Sequence, residues 1–333
     1  MDRIQLAHGG GGKLQDELIE KIIFKHLPRP ANLLDSAILE NLGTVAFTTD
    51  SYVVSPIFFP GGDVGKLAVC GTCNDLAMVG AEPVALSLGL IIEEGFEISE
   101  LDRIVESISQ AAKEAGVSIV TGDTKVVSHG QADGIYVNTA GIGRMIAGAK
   151  IGFGEIREGD VILLNGTIGD HGLAVMARRE GLSFTTPIVS DVACVSGLAN
   201  ELVRRLGAKI KFMRDPTRAG IAGVLVDIAV GGGCDVFVRE NAIPVLTSVR
   251  AAAEVLGFDL LHVANEGKFA AIVDRDAAQD AFSILTNHPL GKSASVIGEI
   301  QKSQGRCQVI METTIGGKRI VQKPYGEQLP RIC

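Results

Sequence analysis

From residue 36 to residue 148, stretches patterned as strands alternate with stretches patterned as helices. That alternation restricts the chain to an architecture in which helices cover a sheet. Residues 44–49 read as a strand, 64–79 as a buried helix, 83–92 as an apolar strand, and 117–120 and 135–142 as further strands. Residues 99–115 read as a helix with Ser99 as N-cap, Asp102 in the capping-box position and Gly116 past its end.

The second half repeats the plan. Gly152, Gly154 and Gly159 bracket a charged connector, and strands are expected at 161–164 and near 234–239, 268–274 and 294–300. Helices are expected at about 171–180, 191–206, 218–230, 245–256 and 276–286, the third stopped by Gly231-Gly232-Gly233. A hairpin of 307–314 with 318–323 turns at Ile315-Gly316-Gly317. The expected organisation is an arm at 1–35, a first domain at 36–150, a second αβ domain at 151–322 and a mobile tail at 323–333.

A length of 333 residues fits two domains. With 46% hydrophobic residues, 41 Gly and no Trp, the chain suits a soluble α/β protein with an aliphatic core. A net charge of −8 argues against nucleic acid or an acidic membrane surface as main partner. No secretory apolar segment follows Met1, and no apolar run approaches the roughly 20 residues that span a bilayer. A cytoplasmic location follows as the expectation, with the six cysteines reduced. Cys70 and Cys73 form a C-x-x-C spacing without a second pair, inside the buried helix, and read as structural thiols.

Several residues suggest chemistry. Gly9, Gly10, Gly11 and Gly12 let backbone N–H groups approach an anion, and Lys13 adds a charge; a plain surface loop explains them equally well. Asp50, Asp75, Asp123 and Asp215 each stand at a predicted strand end or beside Gly. Each alone reads as a turn or capping residue, but together they suit Mg²⁺ shared with substrate phosphates. Asp75 lies in an apolar run, where a carboxylate needs a partner. Glu266 precedes a strand and either faces a cleft or is solvated. Cys333 puts a thiol at the end of a polar tail that, from Ile320, reaches at most roughly 43–47 Å; terminal disorder is the bland alternative.

The stretch from Phe59 to Ala81, Thr121-Gly122-Asp123-Thr124-Lys125, the Asp215-Pro216-Thr217-Arg218 segment, His8 to Lys13, Ala264-Asn265-Glu266-Gly267 and Pro330-Arg331-Ile332-Cys333 carry a family resemblance. Together they resemble the ATP-dependent superfamily of aminoimidazole ribonucleotide synthetase and selenophosphate synthetase. Within it, the terminal motif is similar to that of the carbamoyl dehydratases of [NiFe]-hydrogenase maturation. The resemblance implies a two-domain α/β (α+β) fold whose N-terminal domain forms a β-barrel across a homodimer. It implies ATP and Mg²⁺ as cofactors, and dehydration of a carbamoyl group on Cys333 to a thiocyanate. Glu266 is implied as base with Lys125 as alternative, and Asp50, Asp75, Asp123 and Asp215 as metal residues. Gly9 to Gly12, Lys13, Lys66, Asn74, Thr124 and Asn265 are implied at the nucleotide. The implied partners are a HypF-type carbamoyltransferase as donor and a HypC–HypD-type iron scaffold as cyanide acceptor. The alternatives are a superfamily enzyme that phosphorylates a free small molecule, such as a selenophosphate synthetase, and a non-catalytic cysteine carrier. The Gly-rich loop lacks the Cys usual in the former.

Overall fold

The structure is a computed structural model that describes residues 3–9, 13–29, 39, 41–182, 186–303, 305–324 and 331–333. An N-terminal helical arm runs from Lys13–Leu18 through a π-helical turn, Ile19–Ile23, to Phe24–His26. It leads to a four-stranded sheet and then a seven-stranded one. Among the described residues no helix is long and apolar enough to cross a membrane.

The first sheet is built from β1 (Val45–Tyr52), β2 (Ala81–Glu93), β3 (Ser118–Val127) and β4 (Ile135–Met145), in the order β1-β4-β2-β3. Only β2 and β3 are parallel, and α2 (Ile98–Ala115) makes the crossover between them. Helix α1 (Val64–Met78) is apolar on all sides because it packs against both α2 and the sheet. Only Lys66 and Asp75 of α1 escape full burial. Asp63 caps its start, accepting from Gly65 N at 2.8 Å and Lys66 N at 3.1 Å. Gly65 allows α2 to cross closely; a Cβ there would stand 2.6 Å from the Ile104 carbonyl oxygen.

Helix α2 begins at Ile98 with Glu97 at its cap position, so Ser99 lies inside the first turn and caps nothing. Asp102 is drawn instead to Lys25 at 2.6 Å and His26 at 2.8 Å, fastening the arm to the domain. Gly116 ends the helix at φ +68°, as the sequence leads one to expect.

The second sheet has the order β11-β10-β7-β9-β5-β8-β6. Its strands are β5 (Val161–Leu164), β6 (Ile210–Arg214), β7 (Asp235–Arg239), β8 (Ala270–Val273), β9 (Ser295–Gln301), β10 (Val309–Glu312) and β11 (Lys318–Val321). Apolar runs such as Val161-Ile162-Leu163-Leu164 feed both faces: Val161 and Leu163 pack with α4 (Ser196–Leu206) and α7 (Ala278–Asn287), Ile162 and Leu164 with α5 (Gly220–Gly232). Strand β6 falls where no element was expected. The stretch 191–195, expected as the first turns of a helix, is not helical; α4 starts at Ser196.

A third core joins the halves. Helices α1 and α2 share it with residues of α3 (Asp170–Arg179) and α6 (Thr247–Leu256), with Ile188 and Val192, and with Ile332. The last three residues, which the sequence places in a mobile tail at 323–333, are here docked in the packed structure. Arg331 to Cys333 runs beside residues 53–55, just beyond β1: Ser55 N donates to Arg331 O at 3.1 Å and Val53 N to Cys333 O at 3.2 Å.

Candidate active site

Strand β1 and helix α1 bring the first two acids together. Thr48 Oγ1 donates to Asp75 Oδ2 at 2.9 Å, and Tyr52 Oη to Asp50 Oδ2 at 3.4 Å. Asp215 follows β6 and enters the same field. Burial raises the Asp50 pKa, partly offset by Arg218. Burial and then the Asp50 charge push Asp75 up to about 6. Burial and then the Asp75 charge push Asp215 up to about 7. Glu266 is lifted well above the carboxylate range by burial, then by Asp215, Asp191, Asp50 and Asp75. Four carboxyls thus share one pocket of negative potential.

Glu266 is 3% exposed, and its Oε1 has no hydrogen-bond partner. A buried orphan oxygen is costly and marks a place for a ligand or a proton. Among the described residues no three His, Cys, Asp or Glu side chains converge closely enough to hold a metal ion by themselves. A cation at Asp50, Asp75 and Asp215 would complete its shell with water or phosphate oxygens, as Mg²⁺ does.

Asp123 is not brought to this group within one chain. Asp50 faces Thr139, Thr139 faces Leu88, and Leu88 faces Gly122, so β3 lies three strand spacings, roughly 14 Å, from β1. Asp123 is exposed on that edge strand, with Lys125 Nζ at 3.0 Å and its Oδ1 also accepting from Thr124 N. Lys66 Nζ lies 3.3 Å from the Gly61 carbonyl. Gly9 ends a short 3₁₀ turn. Gly10, Gly11, Gly12 and the Lys13 side chain lie outside the described residues.

Asn74 and Asn265 already use their amides. Asn74 Nδ2 donates to Ala193 O at 3.0 Å and Glu266 O at 3.4 Å, while its Oδ1 accepts from Val195 N at 2.8 Å. Asn265 accepts from Gly169 N at 2.7 Å and donates to Pro216 O and Val263 O. Both hold the loops that carry Glu266 and Asp215.

Sequence reasoning missed the supporting layer. Lys268 Nζ stands 3.0 Å from Asp191 and 3.6 Å from Asp170, all three nearly inaccessible. Burial alone would raise Asp191, but Lys268 and His171 bring its pKa below the usual range. Asp191 also accepts from Glu266 N at 3.3 Å and Gly267 N at 3.1 Å. A Cβ on Gly267 would collide with the Asp191 carbonyl, so only glycine permits this approach. The pair Asp170-His171 after Gly169, and Lys268 one residue past the Glu266-Gly267 step, were the available signals.

Cys194 Sγ lies 3.0 Å from Ser196 Oγ, and the chain's cysteines form no disulfide. The buried pair Cys70 and Cys73 is part of the core, in keeping with structural thiols.

Residues 34–145 match the family "AIR synthase related protein, N-terminal domain", and 157–310 match its C-terminal domain counterpart. The carbamoyl dehydratase HypE of Rhizobium leguminosarum bv. viciae is 48% identical over 334 residues, covering 99% of this chain and 95% of that protein. A crystal structure of hydrogenase maturation protein HypE in complex with ATP superposes with a TM-score of 0.95 at 44% identity, covering 98% and 99% of the two chains. A HypE–HypF complex superposes with a TM-score of 0.82 at 47% identity, covering 94% and 100%.

Proposed function

The chain belongs to the HypE family of carbamoyl dehydratases, and on that premise we propose that it removes water from a carbamoyl group carried on the Cys333 sulfur, driven by ATP. The observation that carries this reading is the berth of the last three residues. They lie against residues 53–55, three to five positions past Asp50 and just beyond the end of β1, so the terminus is moored to the segment that continues the Asp50 strand.

In the proposed reaction the thiocarbamate oxygen attacks the γ-phosphorus of ATP and ADP leaves. The C–O bond then breaks with release of phosphate as the amide nitrogen gives up its protons. The sulfur keeps a –C≡N group, so the protein has lost one water and ATP has become ADP and phosphate. Glu266, with its raised proton affinity and unpartnered Oε1, is the proposed base for those protons, with Lys125 as the alternative. Asp50, Asp75 and Asp215 would hold Mg²⁺, whose contribution when bound is to neutralise developing phosphate charge. Lys13, Lys66 and the Gly9–Gly12 loop are proposed to cradle phosphates. Asn74 and Asn265 act by fixing the loops around the nucleotide.

We assign the homodimer to the open face of the first sheet. Phe47 is 68% exposed there and Val45 44%, which suits burial against a second copy. A barrel closed in this way would bring Asp123 and Lys125, exposed on β3 with Thr124 buried between them, to an interface where ATP can meet them. The donor is a HypF-type carbamoyltransferase, by likeness to the HypE–HypF complex, and the acceptor a HypC–HypD-type iron scaffold. Both exchanges require the tail to leave its berth.

Mass spectrometry of the carbamoylated protein with Mg²⁺ and ATP tests the proposal. A loss of one water confined to the C-terminal peptide, and absent in Cys333→Ala, is expected. Retention of that loss in Cys333→Ala would overturn it.

A further inference from the structure

The geometry points to His171 as a positioning residue that sets the Cys333-bearing terminus in register with Glu266. The inference rests on the dehydratase reading and adds a residue to it.

His171 sits in the first turn of α3, fully buried, with its ring edge-on to Phe59 at a centroid distance of 5.3 Å. Its Nε2 lies 2.9 Å from the Ile332 carbonyl oxygen and its Nδ1 2.8 Å from Ser190 Oγ. The carbonyl can only accept, so Nε2 carries the hydrogen and Nδ1 accepts from the Ser190 hydroxyl. Ser190 Oγ in turn accepts from Val192 N at 3.1 Å. Burial lowers the His171 pKa, in keeping with this neutral ring.

The next residue, Asp191, accepts from the backbone N–H groups of Glu266 and Gly267. One short segment, Ser190-Asp191-Val192, therefore orients the imidazole that holds the carbonyl before Cys333 and also anchors the loop bearing Glu266. Arg179 adds a second grip, with Nη2 2.7 Å from Arg331 O and Nε 2.8 Å from Ser55 O. His171 thus joins the tail to the Glu266 support. A thiocarbamate displaced by about 1 Å from its phosphate and base loses about 10²-fold in rate.

The test uses the full chain as wild type, His171→Leu and His171→Gln, the last retaining a donor near the Nε2 position. Hydrogen exchange at the Val53 and Ser55 amides reads docking directly, because they donate to Cys333 O and Arg331 O. Single-turnover dehydration of carbamoylated protein reads the chemistry. His171→Leu is expected to speed exchange at those two amides about 5-fold, as loss of one hydrogen bond predicts. Its turnover at saturating ATP falls about 10²-fold with KM for ATP unchanged, and His171→Gln restores most of both. Wild-type turnover in His171→Leu, or unchanged exchange at Val53 and Ser55, overturns the assignment.

Should His171→Leu fail to fold, the ¹⁵N spectrum of the wild-type imidazole decides. The Nε2–H tautomer supports the assignment and the Nδ1–H tautomer overturns it. A wild-type protein that loses no water would sink the dehydratase reading while leaving the exchange and tautomer results able to judge His171.

Discussion

Lys268 Nζ lies 3.0 Å from Asp191 in a place where the lysine side chain is 11% exposed and the aspartate 3%. The same ammonium reaches Asp170 at 3.6 Å, so two buried carboxylates share one cation beneath the Glu266 loop. Removing one partner of a buried pair leaves the other charge uncompensated. Lys268→Met is therefore expected to destabilise the protein by about 3–5 kcal/mol, seen as a lower urea midpoint. The Asp170→Asn, Lys268→Met, Asp191→Asn triple variant, which removes all three charges, should recover part of that loss.

Glu266 should be needed for chemistry and dispensable for nucleotide binding. Its carboxyl is buried with Oε1 unpartnered, and Gln fills the same volume. A lost base lowers rate by about 10²–10⁴-fold. Glu266→Gln is expected to bind ATP with wild-type affinity by calorimetry and to dehydrate carbamoylated Cys333 slower by that factor.

Asn74 is expected to behave as a clamp. Its amide makes three bonds to the backbone of Ala193, Val195 and Glu266 across the seam between the halves. Asn74→Ala leaves those groups unpaired, at about 1–3 kcal/mol for each buried one. A loss of about 2–4 kcal/mol in chemical denaturation should accompany it. Because the same bonds hold the Glu266 backbone, turnover should fall as well, with little change in KM for ATP.

Asp215 should weaken the ligand-free protein as pH rises. Its folded pKa is raised to about 7, so its favourable contribution is fully present below its ordinary value of 3.8 and is lost as pH climbs through about 7. Asp215→Asn removes that titration. Relative to wild type, the variant should gain about 1–2 kcal/mol between about pH 4 and about pH 8, a solvent-discounted figure. Melting curves across that range check the sign. Bound Mg²⁺ and ATP should shrink the difference, since a cation favours the ionised wild-type carboxylate.

Much of the framework was legible because its signals are local. The apolar run of α1, the Gly116 stop and the doubly buried β5 each announce themselves within a few residues. Asp50, Asp75, Asp215 and Glu266 stood out as acids in apolar or strand-end settings, and they do share one field. Residues 191–195 did not stand out. Their composition suits a helix, but Asn74 binds the backbone on either side of Cys194 from 119 and 121 positions away, and Asp191 is engaged by Lys268 77 positions on. Asp123 was grouped with the other acids because their sequence settings look alike. Strand order then set it on the opposite edge of the sheet. Partners that distant leave no trace in a local pattern.

Arg331 Nε meets the Val53 carbonyl at 2.9 Å across 278 positions of chain. On a ribosome adding roughly 5–20 residues per second, Val53 is made roughly 14–56 s before its partner. Each newborn molecule thus passes through an interval in which the mooring exists and the sulfur does not. The berth at residues 53–55 therefore stays open until the Arg331 segment emerges, after every strand of both sheets has been made.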